Sequence, residues 1–167
     1  QGWRVTSSDC LRGVEQAVGQ LRLYTESLLS RGLVNTPMAG AALRVVSGNF
    51  VVAKPYGIRN GIDFGHTGEV RRVEAEAINQ QLQLGHIVLM SPMGFSLTGE
   101  SFNCRAEDIA TATAIALKAD KIIFFMDANG VRDHDNNLLA QLNLQQTEKV
   151  LQHDGNDAIT KLHLQSA

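Results

Sequence analysis

Residues Gly85–Gly130 read GHIVLMSPMGFSLTGESFNCRAEDIATATAIALKADKIIFFMDANG. Two short apolar runs lie in this stretch, Ile87–Met90 and the KIIFFM run at Lys121–Met126, with an Ala-rich helical pattern from Ala106 to Lys118 between them. A strand that is apolar on both faces belongs inside a parallel sheet. The alternation of strand, helix and strand predicts an α/β fold, with a mainly parallel sheet and helices on both faces. In such folds ligands gather beyond the carboxyl ends of the strands. The loops after Met90 and Met126, rich in Gly, Ser, Asn and Asp, are therefore the places to look for chemistry.

Upstream, Glu74–Leu84 reads as a helix with Ala77, Ile78 and Leu82 facing inward and Gly85 ending it. Before it, Ile62–Phe64 and Glu69–Val73 read as an extended pair. Leu43–Val46 and Phe50–Ala53 are β-rich runs separated by Ser47-Gly48-Asn49, which predicts a hairpin. Near the start, Ser7 and Ser8 are N-cap candidates. Leu11, Val14, Val18, Leu21, Tyr24 and Leu28 then recur on one helical face, up to a stop near Gly32. Downstream, Leu142–Leu151 is a short amphipathic segment, and the chain from His153 onward is polar and weakly patterned.

Composition excludes several classes. With 167 residues the chain can bury a core. A formal net charge of -2 leaves no basic footprint for nucleic acid, and one Trp, two Tyr and six Phe are few for a base-stacking surface. No apolar run approaches the roughly 20 residues that span a bilayer. The expected location is the cytoplasm, with no nucleic-acid or membrane partner. Cys10 and Cys104 are far apart and in no metal-spaced cluster, which predicts buried, reduced thiols.

Three constellations could carry chemistry. Ser96–Asn103, leading into the helix at Ala106, could present backbone N–H groups to an anion, or could equally be a capped surface loop. No GxxxxGKS or GxxxxGKT sequence is present, so this is not a P-loop NTPase. Asp127-Ala128-Asn129-Gly130 could orient a ribose, a metal-bound phosphate or an amine, although Asn-Gly is itself a turn signal. Asp133–Asn137 resembles a calcium loop but has Leu138 where Gly is required and Leu144 where the bidentate Glu belongs, so a solvated loop is the reading. The five histidines lack zinc spacing, and no GxSxG elbow marks a serine nucleophile, so no catalytic residue and no metal are expected.

Several motifs occur together in order: Arg4-Val5-Thr6, Val45–Phe50 (VVSGNF), His66–Arg72 (HTGEVRR), Val88–Pro92 (VLMSP), Gly99–Asn103 (GESFN) and Leu117–Ile123 (LKADKII). In this combination the chain resembles the amino-acid-kinase family, in particular acetylglutamate kinases and the proteobacterial N-acetylglutamate synthases, from Arg4 to about Leu151. The resemblance implies a three-layer αβα sandwich, with residues 1–167 a partial kinase-like domain. The family's N-terminal Gly-Gly strand would precede Gln1, and its C-terminal acetyltransferase domain would follow Ala167.

It also implies functional residues. Arg4 and Asn103 match positions that grip the acylated amino acid, and a guanidinium suits a carboxylate because it donates two parallel hydrogen bonds. Glu107 stands where the kinases carry an Asp that organises catalytic lysines, and Met126-Asp127 replaces a Thr-Asp pair. Arg4, Asn103, Glu107 and Asp127 together read as a vestigial kinase pocket, because the longer Glu107 side chain displaces its charge and phosphoryl transfer depends on positioning. Lys121 matches a position near the family's arginine effector site. The implied role is regulation and assembly within a homo-oligomeric synthase. The whole protein would acetylate L-glutamate from the cosubstrate acetyl-CoA under feedback inhibition by L-arginine. An active acetylglutamate kinase and a non-catalytic amino-acid sensor are the alternatives.

Overall fold

The structure is a computed structural model. It describes residues 3–31, 36, 37, 40, 43–125, 135 and 137–139. One compact unit spans Trp3–Lys118, and the described residues from Ala119 onward belong to a second.

Helix α1 covers Ser8–Leu29. Ser7 is its N-cap, and the Ser7 side chain accepts a hydrogen bond from the backbone N–H of Cys10, satisfying one donor that the first turn leaves open. Ser8 is already helical, and the helix is capped at Ser30, ahead of the expected stop; Gly32 lies outside the described residues. The single apolar face expected for this helix divides in two. Leu11 is buried, with Val18 half-buried, whereas Leu21, Tyr24 and Leu28 are exposed.

The expected hairpin at 43–53 does not form. Strand β1 (Val45–Val46) pairs in parallel with β6 (Ile87–Val88), while β2 (Val51–Pro55) pairs antiparallel with β5 (Thr67–Val73). Two β-rich runs joined by a short polar link can find distant partners as easily as each other, since pairing is decided by packing across the fold. The hairpin present nearby is β3 (Ile58–Arg59) with β4 (Ile62–Asp63). Its turn is Asn60-Gly61, both residues at positive φ (51° and 78°), the conformation that a tight two-residue hairpin turn demands. Ile62–Phe64 and Glu69–Val73 therefore do not pair with each other.

Strand β7 (Met93–Phe95) and β8 (Ser101–Cys104) complete a closed ring in the order β2-β5-β8-β7, with parallel joins at β2–β7 and β5–β8 and an antiparallel join at β7–β8. Its interior holds Val51, Ala53, Phe102 and Cys104, sealed by Ile109 of α3 (Ala106–Leu117). The ring is tight because two interior positions are glycine. A Cβ at Gly68 would meet that of Phe102 at 2.5 Å, and one at Gly94 would meet that of Ala53 at 2.6 Å. Helix α2 (Ala75–Gln83) anchors through Ile78, 1% exposed, while Leu82 is open to solvent, contrary to expectation. Gly85, at φ 76°, turns the chain out of α2 into β6. Strand β6 is only partly covered, so the wholly buried strand expected at Ile87–Met90 is corrected to a short, half-exposed one.

The KIIFFM reading is also corrected. None of residues 121–125 is in a strand, Ile123 is 68% exposed and Phe125 94% exposed; Met126 lies outside the described residues. An apolar run becomes a central strand only where neighbouring backbones complete its ladder, and among the described residues no strand includes these five.

Candidate functional site

The segment Trp3–Thr6 runs beside the ends of β5 and β8. Thr6 is 2% exposed and is held from both sides: its N–H donates to the Phe64 carbonyl, and its carbonyl accepts from the N–H of His66. The Thr67 hydroxyl lies 2.5 Å from the carbonyl oxygen of Arg4 and 3.0 Å from the Thr6 hydroxyl. The Asn103 side-chain amide donates to that Thr6 hydroxyl at 3.2 Å. Buried hydroxyls and amides in such a chain satisfy one another, which fixes the Arg4 and Asn103 backbones in one place. Asn103 is held further by its pairing with Thr67 in β5 and Met93 in β7.

Asn103 is thus a structural as well as a candidate binding residue. Asn103→Ala is expected to lower stability by about 1 kcal/mol, read as a lower urea midpoint with unchanged slope, because it leaves the buried Thr6 hydroxyl short of a donor.

Glu107 and Asp108 occupy the first turn of α3, where carboxylates suit the helix dipole. Asp108 has its pKa raised, mainly by burial; Arg105 opposes this, while Glu107 and Glu69 add to it. Its folded pKa lies above its unfolded one, so Asp108 costs stability once ionised in the folded state, and that cost disappears as pH falls below the ordinary range. Arg105, the residue between Cys104 and α3, stacks its guanidinium over Trp3 at 5.2 Å. Trp3 in turn stacks on Tyr56 at 4.1 Å, and Arg59 covers the Tyr56 ring at 5.2 Å. This ladder of rings and guanidinium groups ties the Arg4 segment to α3 and to the β3–β4 hairpin. Sequence reading missed it because its members are spread over a hundred residues.

Of the expected pocket residues, Arg4, Asn103 and Glu107 lie in one unit, with the Arg4 side chain exposed and Glu107 half-buried. Asp127 lies outside the described residues, as do the turn it heads and the segment Leu142–Leu151. Lys121 is exposed and belongs to the second unit. Of the two readings of Ser96–Asn103, the capped loop describes its first part. Ser96–Glu100 is the turn of the β7–β8 hairpin, and most of its N–H groups are already used. Those of Thr98 and Glu100 donate to the Ser96 hydroxyl, and that of Gly99 to the Ser96 carbonyl. Among the described residues no group of three His, Cys, Asp or Glu is placed to hold a metal ion, and no helix is long and apolar enough to cross a membrane.

A groove of about 450 Å³ opens where the parallel strands β1 and β6 end. Val18, Leu21 and Arg22 are among the residues of α1 that form one wall; Ser47, Asn49, Met90 and Met93 are among those that line the rest. Its position matches the ligand rule for α/β sheets, and the loop after Met90 does line it, as the sequence suggested.

The thiols differ. Cys104 is buried and its pKa is pushed up to about 11, mainly by burial; Cys10 is exposed, correcting the expectation of two buried thiols. Cys10 is expected to react with a thiol reagent in the native protein and Cys104 only after unfolding, read by counting modified cysteines with and without denaturant. The unfolded Cys104 thiol ionises before the folded one, so its contribution to stability falls as pH rises from 9 towards 11.

Residues 7–164 match the amino acid kinase family. The chain is 48% identical over 164 residues to an amino-acid acetyltransferase of Ralstonia nicotianae, covering 98% of this chain and 36% of that protein. It is 50% identical over 149 residues to an amino-acid acetyltransferase of Vibrio vulnificus, covering 89% and 34%. It therefore spans about a third of the length of these curated relatives. Among solved structures, N-acetylglutamate synthase from Neisseria gonorrhoeae complexed with coenzyme A and L-arginine superposes with a TM-score of 0.92 at 30% identity, over 100% of this chain and 39% of that one. The same enzyme complexed with coenzyme A and N-acetyl-glutamate gives 0.86 at 29%, over 98% and 36%. The three-layer α/β sandwich class expected from the motifs is the one these likenesses show. The family match extends over nearly the whole chain, and on that evidence the chain belongs to the amino acid kinase family.

Proposed function

We propose that this chain is the regulatory and assembly domain of a cytoplasmic, homo-oligomeric N-acetylglutamate synthase. The whole protein transfers an acetyl group from acetyl-CoA to the amino group of L-glutamate, and L-arginine inhibits it. The observation that carries this reading is the likeness to amino-acid acetyltransferases along 98% of the chain, together with a 0.92 TM-score to a synthase complexed with coenzyme A and L-arginine. Glu107 supports the loss of phosphotransfer, because a carboxylate one methylene longer than Asp moves the charge that a kinase must place accurately. In this reading Arg4, Asn103, Glu107 and Asp127 are remnants of a kinase pocket, Lys121 contributes to the arginine site, and acetyl-CoA and L-glutamate bind outside this chain. No catalytic metal is invoked.

The test is calorimetry and acetyl-transfer kinetics on the full-length protein with L-arginine. Binding heat together with inhibition of glutamate acetylation is expected. Acetylation that is indifferent to arginine, with no binding heat, would remove the regulatory role.

A further inference from the structure

The groove beside α1 is separate from the kinase remnant, since none of Arg4, Asn103 and Glu107 lines it. Its volume of about 450 Å³ falls among ordinary small-molecule sites. Gly19 keeps it open. This glycine stands in the interior of a helix of 22 residues, where it weakens the helix relative to alanine. A Cβ built on it would meet nothing within 4 Å, so no packed neighbour requires a glycine there. Gly19 does line the groove, and the side chain it lacks is space that the groove keeps.

The lining is apolar along its bed, with Val18, Leu89, Met90, Met93 and Phe95. Methionine side chains adapt to a flexible chain laid against them. One end is polar. The Ser47 hydroxyl donates to Glu26 at 3.1 Å, and Glu26 lies 3.6 Å from Arg22, which places the Ser47–Asn49 link beside Arg22. The Glu26 charge is met by these two donors, while the Arg22 guanidinium, about half exposed, keeps further N–H groups to give. Among the described residues no group accepts from the backbone N–H groups of Gly48 and Asn49. A guanidinium beside unused N–H groups suits a carboxylate. Glu15, the other charged residue of the lining, lies two turns along α1 from Arg22, about 10 Å at the rise of an α-helix. Its charge repels a second carboxylate at that end. We infer that this groove binds a medium-chain aliphatic monocarboxylate, its head at Arg22, Gly48 and Asn49 and its methylene chain along Gly19 against Met90 and Met93. The inference does not depend on the synthase reading.

The probe is octanoate, titrated into the full-length protein by calorimetry, with octylamine and the dicarboxylate suberate as controls. Octanoate is expected to bind at one site per chain. Both controls should bind roughly tenfold or more weakly, since octylamine lacks the carboxylate and suberate brings a second one towards Glu15. Gly19→Leu should abolish binding with no fall in melting temperature, because its side chain fills the groove and leucine suits a helix interior better than glycine. Arg22→Met leaves the apolar bed in place and should weaken octanoate roughly tenfold. Absence of octanoate binding, octylamine binding as tight as octanoate, or octanoate binding undiminished in Gly19→Leu would overturn the site. Undiminished binding in Arg22→Met would overturn the placing of the head. None of these results bears on inhibition by arginine, so failure here leaves the synthase reading standing.

Discussion

Ile78→Asp is expected to leave the Trp3–Lys118 unit unfolded at room temperature, with loss of the cooperative melting transition. Ile78 is the most deeply buried large side chain described, 1% exposed. It is also the single buried anchor of α2, a helix of 9 residues too short to persist without tertiary contacts. A carboxylate there has no partner to neutralise it, and the penalty is several kcal/mol, comparable with the whole stability of a domain at about 5–15 kcal/mol. Ile78→Ala supplies the graded version: it removes contacts without adding charge and should cost about 2–5 kcal/mol. Ile123→Asp is the contrasting substitution. Ile123 is 68% exposed and unpaired in any strand, so its melting temperature should match wild type. Circular dichroism melts of the three variants check the set. If Ile123→Asp unfolds and Ile78→Asp does not, the assignment of the core is reversed.

The second large effect is expected at Gly94. Its missing side chain lets β7 lie against β2, where an added Cβ would stand 2.6 Å from that of Ala53 and 3.2 Å from Cγ1 of Val51. Both neighbours are 3% exposed and belong to a strand held on both sides, so neither can move aside cheaply. The join between β2 and β7 is a single register pair, Val52 with Phe95, and is the weakest closure of the ring. Gly94→Val should therefore cost about 3 kcal/mol or more by overpacking, with Gly94→Ala smaller. Ala53→Gly alone should also destabilise, by about 0.5–1 kcal/mol, because glycine weakens a strand. Combined with Gly94→Ala it should recover part of the loss, since it removes the atom that clashes. Urea titrations of the two single variants and the double variant measure that coupling; strict additivity would mean that the two positions do not oppose each other.

These predictions show where the sequence was legible. Helices α1, α2 and α3 were readable because apolar spacing is local, as is the Ser7 cap of α1. So was the inward direction of Ile78. The pairing of β1 with β6 across forty residues was not, because a two-residue β-branched run is compatible with many partners, and the short link at Ser47–Asn49 suggested the nearest one. Asn60-Gly61 was the better turn signal of the two, and the reading of Ile62–Phe64 with Glu69–Val73 passed over it. The KIIFFM run shows the opposite limit: apolar composition says that a segment can be buried, while burial itself depends on backbones that pair with it. At the candidate site, family motifs singled out Arg4, Asn103 and Glu107. The Thr6–Thr67–Asn103 hydrogen-bond chain and the Arg105–Trp3–Tyr56–Arg59 ladder were not legible, because contacts between residues so far apart leave no periodicity to read. At Ser96–Asn103 the sequence left an anion loop and a capped turn equally open. Its small polar residues do cap N–H groups, and those of Thr98, Gly99 and Glu100 are satisfied within the turn itself.

In the proposed function, a kinase scaffold has been kept for control and assembly after its phosphate chemistry was lost. Hydroxylamine trapping of acyl phosphate tests this most directly, using the full-length protein with N-acetylglutamate, ATP and magnesium, in a preparation shown to acetylate L-glutamate. No hydroxamate above the enzyme-free control is expected. ATP-dependent hydroxamate, formed by wild type and lost in Glu107→Ala, would contradict it.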